Sequence, residues 1–99
     1  MNGMTEAEQA TALSALPGWA IEEQQLCKTY KMASFRDAIV LLQRVAFEVE
    51  DLNHHPEIWN LYNRVRFALS THDAGDVVTE SDFALANKIE TLAARLGGK

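Results

Sequence analysis

The spacing of apolar residues changes once in the middle of this chain, and that change limits what the chain can fold into. From Phe35 onward, Ala38, Ile39, Leu42, Val45, Ala46 and Val49 recur at helical intervals. This predicts an amphipathic helix that begins at a Ser34 cap and runs to about residue 52. After Pro56 the repeat shortens to two: Trp59 and Leu61 share one parity, and Val65, Phe67 and Leu69 continue it. Two strands joined by an odd, three-residue loop around Asn63 would put all five on one sheet face. A two-residue loop would flip one strand and expose half of the set, so the odd loop is expected.

The flanks extend the same logic. Thr5 and Glu8 stand at capping-box spacing before an Ala- and Leu-rich stretch that Pro17-Gly18 ends. Residues 19–21 and 26–32 alternate as strands do, with the polar residues 22–25 as their turn. Thr79 and Asp82 repeat the capping-box spacing ahead of Phe83, Leu85, Ala86, Ile89, Leu92, Ala93 and Leu96, and Gly97-Gly98 closes that helix. The order helix, strand, strand, helix, strand, strand, helix predicts an α+β domain. Its four-stranded antiparallel sheet would have three helices packed on one face. At 99 residues the chain has room for a single domain over positions 1–99.

Charge excludes some functions. The net charge is −5 and the nine Lys and Arg are scattered, whereas nucleic-acid binding draws its affinity from a basic face, so no direct nucleic-acid partner is expected. No apolar run reaches the roughly 20 residues that span a bilayer, and no basic segment followed by an apolar run opens the chain, so no membrane partner and a cytoplasmic location are expected. Cys27 is the only cysteine and reads as a buried structural thiol.

All three histidines fall on connections. His54-His55-Pro56 joins the second helix to the third strand, and His72 follows the fourth strand. If those strands form a hairpin, its open end brings His72 back beside His54 and His55. Imidazoles titrate near neutral pH (reference about 6.5), so such a group can deliver and remove protons under ordinary conditions. Glu50, Asp73 and Asp82 are carboxylates near enough in sequence to orient the rings. Each member has a plainer role open to it: His54-His55-Pro56 as a turn, His72 as a surface residue, Asp82 as a helix cap, Trp19 as core. Three histidines could also ligate zinc, but adjacent ones aim poorly at a single ion and no HExxH is present, so no metal is expected.

The ordered run Glu50, His54-His55-Pro56, Tyr62, His72 and Asp82, with Tyr62-Asn63 and Ser70-Thr71-His72 around it, resembles the pterin-4a-carbinolamine dehydratases. Trp19, Phe35 with Ala38, and Val45-Ala46 match upstream, so the likeness spans about residues 17–96. It departs after Gly75, where Asp76-Val77-Val78 makes the loop one residue longer than in animal members. The resemblance implies a lyase that dehydrates 4a-hydroxytetrahydrobiopterin to quinonoid dihydropterin, recycling the cofactor of aromatic amino-acid hydroxylases. It needs no cofactor of its own. It implies His54 and His72 as the acid–base pair and His55 as a pterin-holding residue that shares in proton transfer. Glu50 and Asp82 would be the supporting carboxylates, with Trp19 and Pro56 at the substrate. It also implies a homodimer or homotetramer. Two alternatives stay open: a dimerisation module acting on a protein partner, as animal members act on a homeodomain transcription factor, and a dehydratase for a pterin linked to molybdenum-cofactor metabolism.

Overall fold

A computed structural model describes residues 3–99. The elements follow the expected order: α1 (Glu6–Leu13), β1 (Ala20–Glu22), β2 (Gln25–Lys31), α2 (Phe35–Leu52), β3 (Glu57–Leu61), β4 (Arg64–Leu69) and α3 (Glu80–Arg95). The strands form one antiparallel sheet in the order β1-β2-β4-β3. This is the α+β fold expected from the sequence.

Each boundary has a local cause. Thr5 and Glu8 close a reciprocal capping box, their hydrogen bonds being 2.8 and 3.1 Å long. The Ser34 hydroxyl accepts from the Asp37 N–H at the head of α2. Asn53 ends α2 in the left-handed conformation (φ 51°), which turns the chain toward the sheet at His54. Glu23 and Gln24 both take positive φ between β1 and β2, the backbone that a two-residue hairpin loop requires.

The core lies between one sheet face and α2 and α3. Leu26 and Tyr30 of β2, together with Val65, Phe67 and Leu69 of β4, meet Ala38, Leu41, Val45 and Val49 of α2 and Leu85, Ala86, Ile89 and Ala93 of α3. Burying each large aliphatic or aromatic side chain contributes about 1.5–3 kcal/mol. α1 sits at the margin, with Ala12 and Leu13 packed against the core and no fully buried residue of its own. Among the described residues no helix is long and apolar enough to cross a membrane.

One expectation is overturned. Leu61 pairs with Arg64, so the β3–β4 loop is the two residues Tyr62-Asn63, with Tyr62 at φ 52°. An even loop places Trp59 and Leu61 opposite Arg66 and Arg64 on the outer face, where they are exposed, while Val65, Phe67 and Leu69 point into the core. The register is held by polar ties that parity does not reveal. The Asn60 amide donates to the carbonyls of Tyr62 and Arg64, and Asn63 bonds Met32 through both backbone and side chain. β3 is an edge strand, so its alternation carries no core signal.

Trp19 is buried. It is 5% exposed, and its indole N–H donates to Tyr30 Oη and Glu90 Oε1, both at 3.1 Å. Glu90 lies eight residues beyond Asp82 on α3, about 12 Å along the helix. Trp19 therefore packs as part of the core, the plainer of its two readings. Burial alone would raise the Glu90 carboxyl, but hydrogen bonds from Tyr30, Lys28 and Trp19 outweigh it and hold Glu90 below the usual carboxylate value. Cys27 is buried, and that burial pushes its thiol up, as an inert structural thiol requires.

Candidate active site

The site grows from two apolar patterns that each end in a polar residue. The inward parity of β4, Val65, Phe67 and Leu69, continues to Thr71, which is buried. The core stripe of α3, Ala93, Ile89, Ala86 and Leu85, runs back to Asp82, which is fully buried. The two stripes converge: Thr71 Oγ1 donates to Asp82 Oδ2 at 2.8 Å, and the Thr79 N–H donates to the same oxygen at 2.8 Å. Asp82 thus caps α3, as the plainer reading has it, and ties that cap to Thr71, just beyond β4.

Its other oxygen meets the first histidine. Extending the β3–β4 register by three residues sets His54 opposite Thr71, and His54 Nε2 lies 2.5 Å from Asp82 Oδ1. The His54 side chain is 17% exposed, so the ring is anchored inside and reaches the surface at one edge.

The other two rings are exposed and separately held. His55 Nε2 is 2.7 Å from Glu50 Oε1, across the last turn of α2. His72 begins a short 3-10 turn, residues 72–74, and its Nδ1 is 2.9 Å from Asp76 Oδ1. Gly75 (φ 89°) turns the chain there, and a Thr71–Val77 bridge clamps the base of the loop. Pro56 is half-buried directly before β3.

All three histidine segments therefore lie at the open end of the β3–β4 hairpin. No hydrogen bond joins one imidazole to another among the described residues; each ring has its own carboxylate. Nor do three His, Cys, Asp or Glu side chains group as a metal-ligand set among those residues. The groove between α2 and α3, lined by Glu48, Lys88 and Arg95 among others, shares no residue with the cluster.

Three partners escaped the sequence reading. Asp76, rather than Asp73, holds His72, and its signal was the i,i+4 spacing. Thr71 and Thr79 were readable only as a strand end and a cap. The signal that they are buried was their place on the two apolar stripes.

The Asp76 hydrogen bond, reinforced by its charge and by that of Asp73, raises His72 above the ordinary imidazole value. A raised value means that the imidazolium persists to higher pH. Asp76→Asn is therefore expected to lower the His72 midpoint toward about 6.5 in an NMR titration. A midpoint that stays put would show that Asp76 does not hold the ring in solution.

Comparison with known proteins places the chain in a family. Residues 2–92 match the family model described as pterin 4 alpha carbinolamine dehydratase. A protein of Opitutus terrae, provisionally named pterin-4-alpha-carbinolamine dehydratase, is 48% identical over 91% of this chain and 93% of its own. One from Chloroflexus aurantiacus with the same provisional name is 46% identical over 93% of this chain and 98% of its own. The crystal structure of a transcriptional coactivator/pterin dehydratase from Brucella melitensis superposes with a TM-score of 0.88 at 37% identity, covering 93% of this chain and 99% of that one. With its whole fold and nearly its whole length matched, the chain belongs to the pterin 4 alpha carbinolamine dehydratase family.

Proposed function

We propose that this chain dehydrates 4a-hydroxytetrahydropterins to quinonoid dihydropterins, with His54, His55 and His72 as its acid–base groups. The observation that carries the reading is the His54–Asp82 pair: an imidazole held at 2.5 Å by a fully buried carboxylate, beside two exposed imidazoles, in a chain of this family.

The reaction breaks the C4a–O bond. One proton goes to the departing hydroxyl, which leaves as water, and the N5 proton is removed as the N5=C4a double bond forms. Both transfers suit groups that titrate near neutral pH. His54, oriented by Asp82, and His72, held by Asp76, are the acid–base pair, and the two can exchange roles. His55, carried on the same turn as His54, contacts the pterin and shares in proton transfer. Asp82 and Glu50 position the rings, and Pro56 fixes the chain that presents them. The physiological role consistent with this chemistry is recycling of the hydroxylase cofactor, in a cytoplasmic homodimer or homotetramer.

The test is to follow dehydration of freshly generated 4a-hydroxytetrahydrobiopterin by ultraviolet absorbance, with and without chelator. Rapid, chelator-resistant conversion supports a metal-free dehydratase. Conversion lost with chelator and restored by zinc would replace the acid–base reading with a metal one. No acceleration by folded protein would shift the weight to a partner-binding role.

A further inference from the structure

Behind His54 lies a hydrogen-bonded chain from which solvent is nearly excluded: Asp82 and Thr79 are fully buried and Thr71 is 7% exposed. Its proton directions follow from the donors available. Thr71 has one hydroxyl proton, and Asp82 Oδ2 receives it. In the 2.5 Å contact between the two threonine hydroxyls, Thr71 is therefore the acceptor and Thr79 the donor. The chain is polarised one way, from the Thr79 hydroxyl to the Thr71 hydroxyl to the Asp82 carboxylate, and the Thr79 N–H points at the same oxygen.

With the Thr71 hydroxyl and the Thr79 N–H both donating to Oδ2, Oδ1 is the oxygen left to accept from His54. His54 Nε2 then carries a proton whether the ring is neutral or charged. The reverse arrangement, with the proton on Asp82 Oδ1 and a bare Nε2, would face both donors toward a neutral acid. No buried side-chain nitrogen or oxygen among the described residues lacks a partner. Nδ1 takes no part in the Asp82 bond and is not among buried atoms without a partner, so it is the ring nitrogen open to solvent.

We infer that the buried Thr71–Thr79 pair is a positioning device that locks His54 in its Nε2–H tautomer and makes Nδ1 the atom that exchanges protons with the substrate. The substrate clause rests on the dehydratase reading; the tautomer lock does not.

Long-range proton–nitrogen correlation spectra of the full-length, 15N-labelled protein, recorded above the histidine titrations, test the lock directly. Wild-type His54 is expected with Nε2 protonated and Nδ1 bare. Thr71→Val keeps the β-branched shape and removes the donor. It is expected to bring in the Nδ1–H form and to slow dehydration about 10–100-fold, the usual effect of losing a group that orients a functional ligand. Thr71→Ser restores the donor and is expected to keep the wild-type tautomer and rate. A wild-type His54 protonated on Nδ1 overturns the inference, and so does a folded Thr71→Val chain with the wild-type spectrum. The wild-type spectrum decides even if the valine variant does not fold. The predicted tautomer in a chain without dehydratase activity would leave the lock standing and sink only the proposed function.

Discussion

Replacing His54 with alanine is expected to lower the dehydration rate constant by about 10²–10⁴-fold, the range typical of losing a positioned acid or base. Alanine also strips Asp82 Oδ1 of its only imidazole partner, so a fall in rate could be blamed on a disturbed site. His54→Gln separates the two effects, because an amide N–H can still donate to Asp82 but cannot exchange a proton near neutral pH. Glutamine is expected to match alanine in rate and to melt closer to wild type. His72→Ala gives a cleaner comparison: the side chain is 90% exposed, so its loss is expected to leave the melting temperature unchanged while the rate falls by about 10² or more. Groups that act as a unit in one reaction are not additive, so the double variant should be little slower than the worse single. Substrate turnover in stopped-flow absorbance reads all four variants. Wild-type rates in both alanine variants would end the assignment.

The parts of this site that were legible in the sequence are those governed by periodicity. The helical repeat from Phe35 to Val49 and the alternation through Val65, Phe67 and Leu69 place α2 and β4 correctly, and together with the caps at Thr5, Ser34 and Thr79 they fix the order of elements. The convergence of His54 with Thr71 follows from that order, because strands joined as a hairpin return to the same end. The β3 register did not follow. Trp59 and Leu61 alternate as a core strand does, yet they lie on the outer face of an edge, where alternation reports only which residues face outward together. Asn60 and Asn63 hold that register through two hydrogen bonds each, which have no period to detect. The surroundings of Trp19 were not legible for a different reason: an indole that donates to Tyr30 and Glu90 needs partners far apart in sequence, and no local pattern announces them. The pairing of His72 with Asp76 was within reach of the i,i+4 rule.

Asp82→Ala is expected to be the most destabilising single change in the site, at about 3–5 kcal/mol. The carboxylate is fully buried and accepts from the Thr71 hydroxyl, the Thr79 N–H and His54 Nε2. Removing it leaves those donors without a partner where water enters poorly, and it opens a small void beneath the first turn of α3. For a domain of this size the loss is a large fraction of a total of about 5–15 kcal/mol. At about 4–8 °C for each kcal/mol it should lower the melting temperature by at least roughly 12 °C. Asp82→Asn tells the two jobs of this residue apart. Its amide oxygen can still accept from Thr71 and Thr79, so the cap survives and most of the stability with it. Its amide nitrogen is a donor, however, and a donor facing His54 demands a bare Nε2, which forces the ring into the Nδ1–H tautomer. The asparagine variant is therefore expected to fold nearly as well as wild type and to dehydrate at least about 10-fold more slowly. If the alanine variant melts within a degree or two of wild type, Asp82 does not anchor α3 in the way its hydrogen bonds indicate. If the asparagine variant keeps full activity, the orientation of His54 does not depend on the charge behind it.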